Sequence, residues 1–355
     1  MIDLRSDFLS SPSAAMLAAM AEAATGEKGY GPRDDPHQRR LEELAAEMLG
    51  KEDALFLPTC MMANLLAVMC AAGRGEAVIL DAASHLLNSE SGAMAAIAGT
   101  LALALPSERG RIPPALIAET LHPGTLQQPR TAMLVLENTH NKAGGIANGA
   151  DYYAEARAAA GSCWMHLDGS RIFNAAVALG CGARDLVRSF ESVAFSLNKG
   201  LAAPAGAILA GPASFIGEAT RLRQQLGGGW RPVGMLAAAG VVALRTMVGR
   251  LADDHARARR IAETLAGCAG VDIDLSSVQT NIVRGRLRHP RLAAEAFRSE
   301  LETRGIRIQV AADGAFRLVT YHDIDDDLTG EVCATLRGIL GPAENSGTKH
   351  RGEGR

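Results

Sequence analysis

Short apolar segments alternate with segments of helical periodicity in this chain, and this alternation limits the possible folds more than any other feature. The apolar segments occupy residues 54–57, 77–80, 101–105, 132–136, 163–167, 192–197 and 207–209. Strands separated by helices predict an α/β fold with a mostly parallel, seven-stranded sheet. The hydrophobic content of 48% suits such a sheet, because helices bury both of its faces. Ligands of sheets of this kind bind at the carboxyl ends of the strands.

The rest of the chain predicts a second, smaller domain. Residues 235–265 are expected to be helical with an interruption near Gly249, and strands are expected at 271–274, 280–284, 306–310 and 316–320 around a helix at 292–304. We therefore predict an N-terminal arm with the first helix (1–20), a large domain (21–245), a small α+β domain (246–340) and a tail (341–355). The tail is predicted to be disordered because it is polar and lacks aromatic residues.

Charge and cysteine usage exclude several classes of function. The formal net charge is -3, and no clustered basic face is evident, which argues against nucleic acid and membrane surfaces as partners. The charged first residues do not resemble a secretion signal. Six cysteines without CxxC pairs argue against a zinc site and a disulfide framework. We expect a cytoplasmic protein with no bound metal.

Two polar residues follow neighbouring predicted strands. Asp168 comes at the end of one apolar segment, and Lys199 comes just after the next. Many enzymes hold pyridoxal phosphate in this way, because its aldehyde needs an amine for a Schiff base and its ring nitrogen needs a carboxylate that keeps it protonated. Taken alone, the two residues are better explained as a surface lysine and a hydrogen-bonded aspartate at the ends of elements.

Longer motifs favour the first interpretation. These are IDLRSD (2–7), LENTHN (136–141), HLDGSRIFNAAVALG (166–180), LNKGLAAPAG (197–206), GGGWRPVG (227–234) and RLVT (317–320). Together they resemble the threonine aldolase and β-eliminating lyase family of fold-type I pyridoxal phosphate enzymes, in order from Ile2 to about Asp323. The resemblance implies an aspartate aminotransferase-like large domain that binds the cofactor. It also implies a homodimer or a dimer of dimers, hence a homotetramer, with the active site near the subunit interface.

The resemblance implies a reaction as well. The substrate would be a β-hydroxy-α-amino acid, such as L-threonine, allo-threonine or phenylserine, and the products would be glycine and an aldehyde. Two alternatives stay open. One is another reaction on the same cofactor, namely β-elimination or racemisation of a small amino acid. The other is a cofactor-free relative that acts as a binding protein.

Site residues follow from the same resemblance. Lys199 would form the Schiff base, Asp168 would pair with the ring nitrogen, and His85 would stack on the ring. The remaining cofactor contacts would come from Thr59, Cys60, Met61, Ser196, Arg171 and Arg231. The substrate carboxylate would bind Arg171, Arg317 and Ser6, with Tyr30 reaching the site from the neighbouring subunit. The base for the β-hydroxyl proton would be His85 or His140, or a bound water.

The chain departs from its relatives around the expected cofactor and substrate sites. Cys60 and Met61 stand where relatives carry Gly-Thr, and Tyr321 stands where they have histidine. These changes leave the substrate side chain, and even the bond broken, undecided. Near the amino terminus we expect Arg5 and Asp7 to form an ion pair that fastens the arm.

Overall fold

The computed structural model describes residues 1–343. Residues 344–355, which make up most of the predicted tail, lie outside the described part of the chain. The first residues of that predicted tail are hydrogen-bonded to the body of the protein. The amide of Ala269 donates to the carbonyl of Gly341, and the amide of Ala343 donates to the carbonyl of Gly267, each at 3.0 Å.

A seven-stranded sheet forms the centre of the large domain. Its strands are β2 (Asp53–Leu57), β3 (Ala77–Asp81), β4 (Leu101–Leu105), β5 (Thr131–Glu137), β6 (Trp164–Asp168), β7 (Ser192–Ser196) and β8 (Ala207–Gly211). They lie in the order β2-β8-β7-β6-β5-β3-β4. The strand pairs from β7 to β4 are parallel, whereas β8 is antiparallel to both of its neighbours. The predicted fold class is confirmed.

Helices cover both faces of this sheet. In chain order they are α1 (Ala14–Thr25), α2 (Pro36–Leu49), α3 (Cys60–Ala71), α4 (His85–Asn88), α5 (Pro114–Thr120), α6 (Ala150–Ala160), α7 (Ile172–Leu179), α8 (Ala183–Val187), α9 (Ala213–Gln225) and α10 (Gly234–Thr246). Two separate apolar cores result, one on each face of the sheet. Strands buried on both faces explain why the strand segments are apolar at every position rather than at alternate ones.

The small domain contains a four-stranded antiparallel sheet with helices packed against it. Its elements are α11 (Leu251–Ala266), β9 (Val271–Asp272), β10 (Ile282–Leu287), α12 (Ala294–Thr303), β11 (Ile306–Arg307), β12 (Gln309–Val310), β13 (Ala315–Val319) and α13 (Asp326–Leu340). The sheet order is β12-β13-β10-β9. The segment expected to be one strand at 306–310 forms two, because β11 pairs instead with the amino-terminal strand β1 (Ile2–Asp3).

The amino-terminal arm therefore belongs structurally to the small domain. Ile2 and Leu4 are buried in its apolar core. The arm then continues as a short 3-10 turn, Asp7–Leu9, which points back towards the large domain. Ser13 caps α1 by accepting a hydrogen bond from the Met16 amide.

Two helices, α10 and α11, connect the domains, and the break between them at residues 247–250 contains Gly249, where an interruption was expected. Within residues 1–343, no single helix is long and apolar enough to cross a membrane. Only α10 and α11 taken together reach that length and composition, and they are bent by 70° at their junction.

Candidate active site

A cavity of about 230 Å³ lies at the carboxyl edge of the large sheet, between the two domains. Residues from both domains and from the amino-terminal arm line it: Ser6, Phe8, His85, Glu137, Thr139, Asn141, Asp168, Ser170, Arg171, Lys199, Gln309 and Arg317. The location is the one expected for an α/β sheet, since parallel strands direct their carboxyl ends to one edge.

Lys199 projects into this cavity from the turn that follows β7. It is 7% exposed, and its Nζ lies 5.2 Å from the centroid of the Phe8 ring. Burial lowers the pKa of Lys199, and the neighbouring Arg171 lowers it further, although Cys60, Asp168 and Asp7 act in the opposite direction. A lysine with a lowered pKa is more readily deprotonated, and the free amine is the nucleophile that a carbonyl compound requires.

Asp168, the last residue of β6, is held in place from two sides. Its Oδ2 accepts a hydrogen bond from Asn64 Nδ2 at 3.0 Å, and its Oδ1 accepts one from the Ser170 amide at 3.1 Å. Asn64 also donates to Glu90 Oε1 at 2.9 Å, and its Oδ1 lies 3.1 Å from His166 Nε2. Asn64 was not identified from the sequence, because a single asparagine within an apolar helix carries no recognisable motif.

His85 begins the short helix α4 and forms a close pair with Glu90. Its Nδ1 lies 2.8 Å from Glu90 Oε1, and this hydrogen bond is the main cause of a raised pKa for His85. Ligand atoms of His85, Glu90 and Asp168 lie within 4.8 Å of one another, a spacing that metal sites also show. The hydrogen bonds of His85 and Asn64 account for the arrangement without an ion.

Glu137 is a further buried carboxylate, at the end of β5. Its two oxygens accept hydrogen bonds from the amides of His85 and Asn141, each at 2.8 Å. Burial raises the pKa of Glu137, and the charge of Asp168 raises it further. Glu137 lies in the motif LENTHN, but no role was predicted for it. Its position at the carboxyl end of a strand was the available signal.

The ion pair of the amino-terminal arm differs from the expectation. Arg171 donates to Asp7 through Nε at 2.7 Å and Nη2 at 2.6 Å, with both side chains buried. Arg5 pairs instead with Asp3 at the surface. Alternation along an extended arm would place Arg5 and Asp7 on the same face, but the 3-10 turn that begins at Asp7 directs this side chain inward while Arg5 stays at the surface. Asn281 Nδ2 also donates to Asp7, at 3.2 Å.

Arg317 reaches the cavity from β13 of the small domain. Its Nη2 donates to Asn141 Oδ1 at 3.0 Å, and its Nη1 donates to the Arg5 carbonyl at 3.3 Å. Within the described residues, its buried Nε has no hydrogen-bond partner. Burial and the nearby charge of Arg171 lower the pKa of Arg317 to about 10. Ser6 lines the same wall and caps the 3-10 turn by accepting a hydrogen bond from the Phe8 amide.

The amino-terminal end of α3 has the features of an anion site. Thr59 is its N-cap and accepts a hydrogen bond from the Met62 amide at 3.1 Å. Cys60 accepts a hydrogen bond from Ser170 Oγ at 3.2 Å, and burial raises the pKa of its thiol to about 12. The thiol is therefore neutral and does not repel an anion. Met61 is 40% exposed.

Seven predicted site residues are not among those that line the cavity: Thr59, Cys60 and Met61 at the start of α3, and His140, Ser196, Tyr30 and Arg231. His140 is 2% exposed and lies with Nε2 2.7 Å from Asp81 Oδ2, so it is packed behind the cavity wall. Ser196 is buried at the end of β7. Tyr30 is 92% exposed, and its carbonyl accepts a hydrogen bond from Arg231 Nη1 at 2.6 Å. The structure thus brings Tyr30 and Arg231 together, but away from the cavity of their own chain.

The polar groups in the cavity and beside it suit pyridoxal phosphate. A buried lysine supplies an amine, Asp168 supplies a fixed carboxylate, and the start of α3 supplies backbone amides for a phosphate group. Glu90 Oε2, a buried atom of the same network, has no hydrogen-bond partner among residues 1–343. Such a partly satisfied, acid-rich network favours a ligand that carries positive charge next to it.

Comparisons with known proteins agree with this geometry. The pattern of the family described as "Beta-eliminating lyase" matches residues 3–287. The low specificity L-threonine aldolase of Escherichia coli (strain K12) is 38% identical over 350 residues, which cover 96% of this chain and 99% of that protein. Low-specificity L-threonine aldolase 1 of Arabidopsis thaliana is 37% identical over 342 residues, 94% of each chain. Among solved structures, the threonine aldolase of Leishmania major has the same fold, with a TM-score of 0.84 at 20% identity, covering 96% of this chain and 99% of that one.

Proposed function

The chain belongs to the beta-eliminating lyase family, as its motifs indicated, and on this basis we propose that it uses pyridoxal phosphate to cleave a β-hydroxy-α-amino acid to glycine and an aldehyde. L-Threonine is the substrate named in its relatives. The observation that carries the proposal is one cavity lined by a buried lysine, a fixed aspartate and two arginines. When bound, the cofactor supplies an electron sink that accepts the electrons of the broken Cα–Cβ bond.

Lys199 and Asp168 would hold the cofactor at opposite ends. Lys199 would bind it covalently through Nζ, and Asp168 would keep a proton on the ring nitrogen. Asn64 supports this role, because its amide fixes the carboxylate of Asp168 at 3.0 Å. The amides at the start of α3, with Thr59, Cys60 and Met61, would bind the phosphate group.

Two cationic side chains and one hydroxyl would orient the substrate carboxylate. Arg317 has a free Nε and lies in the wall of the cavity, which favours a direct contact. Arg171 has Nε and Nη2 engaged by Asp7, so only the remaining nitrogen, Nη1, is available to a ligand. Ser6 would add a hydrogen bond from the arm. A guanidinium group suits this task because its planar fork matches a carboxylate.

His85 is the better candidate for the base that removes the β-hydroxyl proton. It lines the cavity, whereas His140 is packed against Asp81 behind the wall. The hydrogen bond to Glu90 uses Nδ1 and leaves Nε2 free for the substrate or for a bound water. The imidazole would also stack on the cofactor ring and exclude water from one face.

We also propose a homodimer or dimer of dimers, with Tyr30 and Arg231 completing the site of a neighbouring subunit. A subunit interface at this site would account for the high exposure of Tyr30 in the single chain. It would also account for the apolar Phe8, which is 56% exposed beside Lys199. A homotetramer in the cytoplasm is the expected form. The six cysteines are all free, which suits a reducing compartment.

Absorbance and product analysis test the proposal. Purified protein should show a near-visible band from lysine-bound cofactor and should release glycine and acetaldehyde from L-threonine in equal amounts. Lys199→Ala should lose both, whereas Lys51→Ala, a control at another partly buried lysine, should keep both. Ammonia as the product would favour β-elimination, and the opposite enantiomer would favour racemisation. Failure to retain pyridoxal phosphate on equilibrium dialysis would favour a cofactor-free binding protein.

A further inference from the structure

A second cavity of about 390 Å³ adjoins the first on the side of the small domain. His85, Asn141, Gln309 and Arg317 line both cavities. The walls found only in the second cavity come from Ser89, Lys142, Arg284, Ala311, Ala315 and Phe316. We call this space the outer cavity. A group attached to a substrate in the inner cavity can extend into it, because the two share His85 and Arg317.

The outer cavity carries positive charge without a matching negative one. Lys142, Arg284 and Arg317 line it, and among the described residues no carboxylate does. Within residues 1–343, neither Lys142 nor Arg284 forms an ion pair with an acidic side chain. By contrast, Arg286, two positions further along the same strand, pairs with Asp313 Oδ2 at 2.7 Å. On β10, the arginine without an ion-pair partner among the described residues is therefore the one that lines the cavity.

The backbone register places these cations in one row across the small sheet. Arg317 of β13 lies opposite Arg284 of β10 on one side and opposite Gln309 of β12 on the other. Side chains that lie opposite each other in antiparallel strands point to the same face, and like charges in such a pair are destabilising. The charge of Arg284 also contributes to the lowered pKa of Arg317. A bound anion between the two guanidinium groups would relieve this repulsion.

We propose that the outer cavity binds a second acidic group of the substrate, carried on its β-substituent. The inference rests on the proposed function and narrows its substrate class to β-hydroxy-α-amino diacids. Neighbouring strands are about 5 Å apart. Arg284 would therefore bind a second carboxylate at about this distance from the α-carboxylate bound by Arg317. β-Hydroxyglutamate has this length. Cleavage breaks its Cα–Cβ bond, releases the β-hydroxyl proton to the base and returns one proton to Cα, giving glycine and malonic semialdehyde.

The test compares β-hydroxyglutamate with β-hydroxyglutamine, which has the same shape but no second charge. In the wild-type holoenzyme, kcat/KM should be about tenfold or more higher for the diacid, the ratio expected for one charge-assisted hydrogen-bonded contact. Arg284→Gln should reduce this ratio to about one, Arg284→Lys should restore part of it, and Lys142→Gln should reduce it less. Arg286→Gln, the paired cation on the same strand, is the control and should leave the ratio unchanged.

Binding gives a second measurement that needs no turnover. Titration of the cofactor spectrum should give a lower Kd for L-glutamate than for L-glutamine, and the difference should shrink in Arg284→Gln and in high salt. An enzyme that cleaves L-threonine but shows equal kcat/KM for the diacid and its amide would overturn the inference and leave the proposed function standing. An enzyme that cleaves none of these substrates would overturn the proposed function. The Kd difference would then still decide whether the outer cavity binds an acid.

Discussion

Replacing Asp7 by asparagine removes one partner of the buried ion pair that joins the amino-terminal arm to the active site. Asp7 is fully buried and binds Arg171 through two hydrogen bonds. Asp7→Asn keeps the size of the side chain but leaves the guanidinium group, 6% exposed, without its counter-charge. Since Arg171 lines the cavity, the change tests both the stability of the arm and the positioning of the substrate carboxylate.

The expected cost is about 3–5 kcal/mol, the range for removing one member of a buried ion pair. For 355 residues, an unfolding entropy of about 2 cal/mol/K per residue converts 4 kcal/mol to a fall of about 5 °C in the midpoint of thermal unfolding. Asp3→Asn is the matched control, because it breaks the Arg5–Asp3 pair on the same arm, where Arg5 is 47% exposed. Exposed pairs contribute about 1 kcal/mol or less.

Scanning calorimetry of both variants with bound cofactor measures the difference, and steady-state kinetics should show a raised KM for Asp7→Asn alone.

Acid unfolding gives an independent check. Burial raises the pKa of Asp7, but Arg171 more than offsets this and holds it at about 2, below its usual 3.8. A carboxyl group whose pKa is lower in the folded than in the unfolded state stabilises the fold at pH values above the unfolded-state pKa. This stabilisation is lost as the pH falls through the folded-state pKa. Between pH 4 and pH 2 the free energy of unfolding of the wild type should fall by about 2 kcal/mol more than that of Asp7→Asn. Equal midpoints for Asp7→Asn and Asp3→Asn would refute the reasoning.

Three further predictions concern the polar network. Glu90→Gln should lower the pKa of His85 towards 6.5, because their hydrogen bond is the main cause of its rise; an imidazole NMR titration measures this, and an unchanged pKa would contradict it. Asn64→Ala should lower the free energy of unfolding by about 1–3 kcal/mol and weaken cofactor binding, because the buried carboxylate of Asp168 loses a hydrogen-bond donor. Calorimetry measures the first effect and equilibrium dialysis the second. Wild-type values in both would count against the role of Asn64. His85→Gln should lower kcat by about 10²–10⁴ and His140→Gln by much less, so equal losses would contradict the choice of His85.

The large domain was predictable because its signal is local and repeated. Each strand is a short run of mostly apolar residues, buried except in the edge strand β4, and helical stretches between the runs favour parallel pairing. The segment 306–310 was predicted less well. Its residues alternate like one strand, but Ile306 pairs with Ile2, three hundred residues away, while Gln309 joins the small sheet. Pairing with so distant a partner leaves no mark in the local pattern.

The residues proposed to contact a ligand were easier to find in the sequence than the residues that hold them in position. Lys199 and Asp168 follow strands of strong apolar character, and their motifs are long. Asn64 and Glu90 are single polar residues whose importance depends on packing against Asp168 and His85. Tertiary contacts between separate elements decide their roles, so the sequence could suggest them only through position. The Arg171–Asp7 pair was missed for the same reason, because its partners are 164 positions apart.

The network has a consequence for the direction in which a substrate enters. One side of the cavity is lined by the carboxylates of Glu137 and Asp168, with Glu90 hydrogen-bonded to His85, and it favours a cation. The other side presents Arg171 and Arg317, which favour an anion. Burial raises the pKa of Glu90 and of Glu137, so both retain protons more readily and limit their mutual repulsion. A protonated cofactor ring next to Asp168 would place positive charge on the acidic side of the cavity. The substrate carboxylate at the two arginines would place negative charge on the basic side. Reversing the substrate would place its carboxylate beside the acids and leave two buried guanidinium groups without an added counter-charge, which is costly where the dielectric is low. We therefore expect the charge gradient to favour one orientation of the substrate, independently of the contacts that discriminate between substrate side chains.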